Sequence, residues 1–134
     1  MKKYTISFTE NQLRTLARGL EFYSRFLAGQ WEIPDMMEFK EFINQGKTDE
    51  FWSIRNEVND EFLKLKSKFT GLHLNESYGI GNKQLAEDAN ISYDIYRPIW
   101  EEFAKGDKDW TVYSSPGLTY SKEGRIKIDV GNKE

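Results

Sequence analysis

Residues 3–29, KYTISFTENQLRTLARGLEFYSRFLAG, change period part-way along. From Lys3 to Phe8, Tyr4, Ile6 and Phe8 alternate with Thr5 and Ser7, the pattern of a half-buried strand. At Thr9 the pattern changes. Thr9 offers a hydroxyl and Gln12 an amide three residues later, the two halves of a capping box, which predicts a helix starting at Glu10. Leu13, Leu16, Leu20, Tyr23 and Leu27 then recur at helical spacing as far as Gly29, a suitable residue for a left-handed helix end. A strand leading into an amphipathic helix predicts an α+β protein.

Outward from this stretch the alternation of helix and stop signals continues. Pro34-Asp35 opens a shorter helix carrying Met36, Met37, Phe39, Phe42 and Ile43, closed by Gly46. Thr48 can cap a long third helix whose stripe is Phe51, Ile54, Val58, Phe62, Leu65 and Phe69, stopped at Thr70-Gly71. Residues 72–82, LHLNESYGIGN, lose periodicity and read as a loop. A fourth helix is predicted from near Asn82, with Leu85, Ala89, Tyr96, Ile99 and Phe103 on one face. Pro98 removes a backbone donor and crowds the Asp94 carbonyl, which predicts a kink or break there. After Gly106 the period is two: Trp110 to Tyr113, Leu118 to Tyr120, then Ile126, Ile128 and Val130, with turns at 115–117 and 122–124. The expected architecture is one domain, residues 1–134. About four amphipathic helices pack with a small, mostly antiparallel sheet made of the N-terminal strand and a C-terminal meander.

The 134 residues suffice to bury a core without metals or disulfides, and the absence of cysteine excludes a disulfide framework, a thiolate nucleophile and thiolate zinc sites. The first residues lack the continuous apolar run of a signal peptide, and no stretch has membrane-spanning length, so a soluble, cytoplasmic protein without membrane association is expected. A formal net charge of -3 argues against a nucleic-acid partner. No acidic or histidine cluster has metal-ligand spacing, and no metal or cofactor is expected.

Two features could bind an anion. Arg14, Arg18 and Arg25 lie in one sector of the first helix, opposite its leucines, where guanidiniums can grip phosphate or carboxylate groups; surface pairing with Glu21 explains the same stripe. The loop Tyr78, Gly79, Ile80, Gly81, Asn82, Lys83 is expected to run into a helix N-terminus, where free amides favour an anion and Tyr78 can stack on a ring. It lacks the spacing of a P-loop or dinucleotide fingerprint, and a turn capped by Asn82 accounts for it equally. Arg97 can pair with Glu101 one turn on. His73 is the only histidine, and no second catalytic group can be named beside it. Trp31 and Trp100 read as core or subunit-interface residues.

The segments LEFYSRFLAGQ (20–30), ESYGIGN (76–82) and SYDIYRPIW (92–100) together resemble a family of small, mostly uncharacterised proteins encoded by bacteriophages and prophages. The resemblance spans most of the chain, and Pro98 departs from the aliphatic residue expected there. It implies an accessory protein acting in the bacterial cytoplasm, of a kind that often counters host defences.

From residues and resemblance together, the leading expectation is a non-enzymatic protein that binds a small anionic, nucleotide-like ligand through Arg14, Arg18, Arg25, Tyr78, Gly79, Gly81, Asn82 and Lys83. A homodimer with the site at the subunit interface is expected. One alternative is a protein-protein inhibitor of a host cytoplasmic enzyme; a second is a small hydrolase using His73.

Overall fold

A computed structural model describes residues 1–33, 51–107, 109, 111–113 and 115–131. The short helix expected at Pro34 to Gly46, the Thr48 cap and Trp110 lie outside the described residues. Three helices are described, α1 (Glu10–Leu27), α2 (Phe51–Thr70) and α3 (Glu87–Ala104), with a 3-10 turn at Thr111–Tyr113. No strand or sheet occurs among the described residues, so the expected α+β architecture is corrected to a helical one with long irregular segments.

The helix signals translate directly into bonds. The Thr9 amide donates to Gln12 Oε1 at 2.9 Å and the Gln12 amide donates to Thr9 Oγ1 at 3.2 Å, which is the reciprocal capping box. At the other end of α1, Gln30 N–H donates to the Arg25 carbonyl and Gly29 N–H to the Phe26 carbonyl. With Gly29 at φ 85° this is a Schellman ending.

The chain divides into two compact units, Met1–Ser24 with Ile80–Glu134, and Arg25–Gly79. In the first, the apolar faces of α1 and α3 meet. Ala17, Tyr96, Ile99 and Trp100 form the centre, with Leu13, Leu16, Leu20, Phe103 and Ile128 packed around it. Small residues allow close approach: Ala17 and Ala89 are both buried, and the buried Ser24 hydroxyl donates to the Ala89 carbonyl at 3.0 Å.

In the second unit the α2 stripe is only half-covered. Ile54, Val58 and Phe62 are partly buried, whereas Phe69 is 79% exposed. Lys66 of α2 is instead buried, 1% exposed, and its Nζ donates to the Leu74 carbonyl at 3.0 Å. Ser67 Oγ donates to the Leu72 carbonyl, and the Tyr78 amide donates to the Ala28 carbonyl at 2.8 Å, so the segment after α2 is held by polar side chains and by the end of α1. Trp31 is buried and stacks on Phe26 at 4.3 Å between ring centroids.

The two period-two segments fail as strands for different reasons. Tyr4 and Ile6 are 81% and 67% exposed, and residues 1–9 have no sheet partner among the described residues. In the C-terminal segment the amides that a ladder would pair are taken by α3. Gly117 N–H donates to Glu101, Tyr120 and Ser121 N–H to Asp94, Lys122 N–H to Glu87, and Ile126 N–H to the Asp94 carbonyl. Satisfying backbone donors is obligatory, but carboxylates do it here instead of neighbouring strands.

The last of these bonds also accounts for α3 running on through Pro98 as one helix, without the expected break. Pro98 supplies no N–H to the Asp94 carbonyl, and Ile126 provides the missing donor at 3.2 Å.

Candidate functional site

Glu87, Asn90, Asp94, Arg97 and Glu101 recur at three- and four-residue spacing and so share one face of α3. Every one of them bonds a segment outside the helix. Residues 115–122 run antiparallel to α3 along this face. Arg97 Nη2 donates to the carbonyls of Val112 and Ser115, at 3.0 and 3.3 Å, and Asp94 and Glu87 receive the amides of residues 120–122. Asp94 is 0% exposed and also accepts from the Ser121 hydroxyl at 2.5 Å. Asn90 Oδ1 accepts from Gly81 N–H at 3.1 Å, bringing the glycine loop to the same face.

At the C-terminal end of the face two guanidiniums flank one carboxylate. Arg97 Nε donates to Glu101 Oε2 at 3.0 Å, Arg125 Nη2 to Glu101 Oε1 at 2.5 Å, and all three side chains are largely buried. The guanidinium of Arg97 also lies over the Tyr113 ring at 4.6 Å. Tyr93 packs edge-on against both Tyr96 and Tyr120, and the Tyr120 ring lies against Gly81. The result is a part-buried cluster with two cations, one anion and a tyrosine rim.

Charge sets the protonation states here. Burial alone would raise the Glu101 pKa, but the Arg125 hydrogen bond, the Gly117 amide, the Arg125 charge and the Arg97 bond outweigh it, holding the carboxyl below its ordinary 4.5. Burial raises the Tyr93 hydroxyl, the Arg97 charge opposes it, Tyr120 and Glu101 add to the rise and Arg125 opposes it, leaving a net increase. Because the folded-state pKa of Glu101 is depressed, its stabilising contribution is complete above the unfolded value and is lost as pH falls through the folded one. The melting temperature of the wild type should therefore drop more steeply than that of Glu101→Gln below about pH 4.5, and parallel curves would show that Glu101 carries no such linkage.

The residues singled out in the sequence fall on both units. Arg14, Arg18, Gly81, Asn82 and Lys83 belong to the first; Arg25, Tyr78 and Gly79 belong to the second. Within the first unit Arg14 sits over the Phe103 ring at 4.1 Å and pairs with Glu10 at 3.1 Å, while Gly81 is tied to Asn90. Since Asn90 and Phe103 lie roughly 20 Å apart along the helix, Arg14 and the glycine loop do not share a site. Within the second unit Arg25 and Tyr78 both attach to the turn that ends α1, Arg25 through Gln30 Oε1 at 3.1 Å and Tyr78 through its amide. Arg18 is exposed on α1, and Lys83 is exposed in its loop.

The loop is not the helix N-terminus the sequence suggested. α3 begins at Glu87, after Ala86, and its first turn carries Glu87 and Asp88. Those carboxylates occupy the end where an anion was expected to bind. Asn82 caps a turn instead, its Oδ1 accepting from Gln84 N–H at 2.8 Å.

Sequence reading also missed Asp94 and Arg125. Asp94 had a signal, a proline four residues later inside a helix and a polar stripe on an otherwise apolar element. Arg125 had none, because only the path of the C-terminal segment brings it to Glu101.

Among the described residues no group of His, Asp and Glu could hold a metal ion, and no helix is long and apolar enough to cross a membrane. His73 is exposed and has no carboxylate partner among the described residues. No protein-family model matches the chain, and neither curated proteins nor solved structures gave a match.

Proposed function

We propose that this protein binds a small anionic, nucleotide-like ligand and holds it without turnover. The observation that carries the reading is the Arg97–Glu101–Arg125 cluster, two oriented guanidiniums against one carboxylate, with Tyr93, Tyr113 and Tyr120 beside it. The two guanidiniums attract an oxyanion, their fixed forks suit phosphate, and the rings suit a base. This reading moves the binding residues from the α1 arginines to α3 and the C-terminal segment. With the resemblance to phage-encoded proteins, it makes the chain a cytoplasmic sponge for a nucleotide-derived signal in an infected bacterium, working as a homodimer.

The test is native mass spectrometry of protein purified from a bacterial host, followed by thermal-shift measurements with a nucleotide panel. A retained nucleotide-like mass or a ligand-specific shift is expected, and Arg125→Lys, which keeps the charge but loses the fork, should weaken binding about tenfold. No shift at millimolar concentrations across the panel would end this reading.

A further inference from the structure

Three donors converge on the Glu101 carboxylate. Arg125 Nη2 reaches Oε1 at 2.5 Å, while Arg97 Nε and the Gly117 amide reach Oε2 at 3.0 and 2.8 Å. Two guanidiniums and a glycine N–H are the means by which proteins hold the phosphate or carboxylate of a ligand. Here the occupant is the chain's own side chain.

The approach of the Gly117 amide depends on glycine. A Cβ at that position would stand 2.7 Å from Arg97 Cγ and 3.1 Å from both Arg125 Nη1 and Arg97 Nε. Arg97 is also held independently of Glu101, its Nη2 bonding the carbonyls of Val112 and Ser115, and Arg125 Nη1 bonds the Gly117 carbonyl at 3.0 Å. Removing the carboxylate therefore leaves both forks with backbone anchors. Glu101 is the single anion between them, and without its charge the two cations would repel each other across an empty centre.

We propose that Arg97, Arg125 and the Gly117 N–H form an oxyanion hole that Glu101 fills as an internal plug, and that a phosphate group of the ligand binds by taking the place of the Glu101 carboxylate. The inference rests on the anion-binding reading of this cluster and adds its regulation. Glu101 sets a threshold: only an oxyanion that out-competes a preorganised carboxylate enters, so chloride and weakly basic anions are turned away. The exchange sets the one to two negative charges of a phosphate group against the two guanidiniums in place of one carboxylate charge, while the Glu101 side chain moves out to water.

The experiment compares wild type, Glu101→Gln and Glu101→Asp for binding of inorganic pyrophosphate by calorimetry, with melting temperatures in pyrophosphate and in chloride at matched ionic strength. Glu101→Gln should melt below wild type in chloride, recover most of that loss in pyrophosphate, and bind pyrophosphate about tenfold or more tightly than wild type does. Adding Arg97→Ala should abolish the gain. If Glu101→Gln does not fold, Glu101→Asp, whose carboxylate is withdrawn by one methylene, should show the same direction. Pyrophosphate binding by the variants that is equal to or weaker than wild type would overturn the plug. Nucleotide binding by wild type without a gain in Glu101→Gln would sink the plug and leave the function standing; a gain in Glu101→Gln with no nucleotide binding to wild type would do the reverse.

Discussion

Asp94→Ala should cost about 3–4 kcal/mol in urea unfolding, because it strands several buried donors at once. The carboxylate is 0% exposed and accepts from the Tyr120 amide, the Ser121 amide and the Ser121 hydroxyl. Each unsatisfied buried donor costs roughly 1–3 kcal/mol, but the segment can lift off α3 and find water, which caps the total. Lifting has its own signature. Residues 115–126 should become the first site of limited proteolysis in Asp94→Ala while the α1–α3 core stays folded. Asp94→Asn should fall between the two proteins, since it keeps one acceptor but turns an NH2 group toward the donors. A loss below about 1 kcal/mol with an uncleaved segment would show that Asp94 does not hold it.

The carboxylate stripe also accounts for what was and was not legible in the sequence. Helical periodicity, the capping box at Thr9 and Gln12, and the Gly29 ending all rest on interactions within a few residues, and the structure contains them. Alternation is a weaker signal, because it shows which side chains could share a face and says nothing about what receives the amides. For Gly117, Tyr120, Ser121 and Lys122 the receivers are side chains of α3, far away in sequence. Pro98 was the visible clue. A proline inside a helix removes one backbone bond, and the carbonyl it frees is a docking point for Ile126.

The site was partly legible for a related reason. The Arg97–Glu101 spacing is legible in the sequence as a pair one helical turn apart, and it is the centre of a part-buried cluster only because Arg125 and Gly117 arrive from the C-terminal segment. The arginine sector of α1 was legible as a stripe, yet Arg14 packs on Phe103 because α3 lies alongside. A helical wheel assigns angles; the neighbouring element decides which of them face solvent.

Ile99→Ala should cost about 3 kcal/mol, whereas Ile6→Ala should cost less than about 0.5 kcal/mol. Ile99 is 0% exposed at the centre of the α1–α3 contact, so truncation removes three carbons from water-free packing and leaves a cavity that two helices cannot easily close. Ile6 is the same residue type on a segment with the alternation of a strand, but it is 67% exposed and loses almost no contact on truncation. The pair separates the two architectures. A sheet built from residues 3–8 and the C-terminal segment would bury Ile6 and give both substitutions comparable losses. Chemical-denaturation midpoints with an unchanged m-value for both variants are the measurement, and a loss for Ile6→Ala approaching that of Ile99→Ala would return the N-terminal segment to the core.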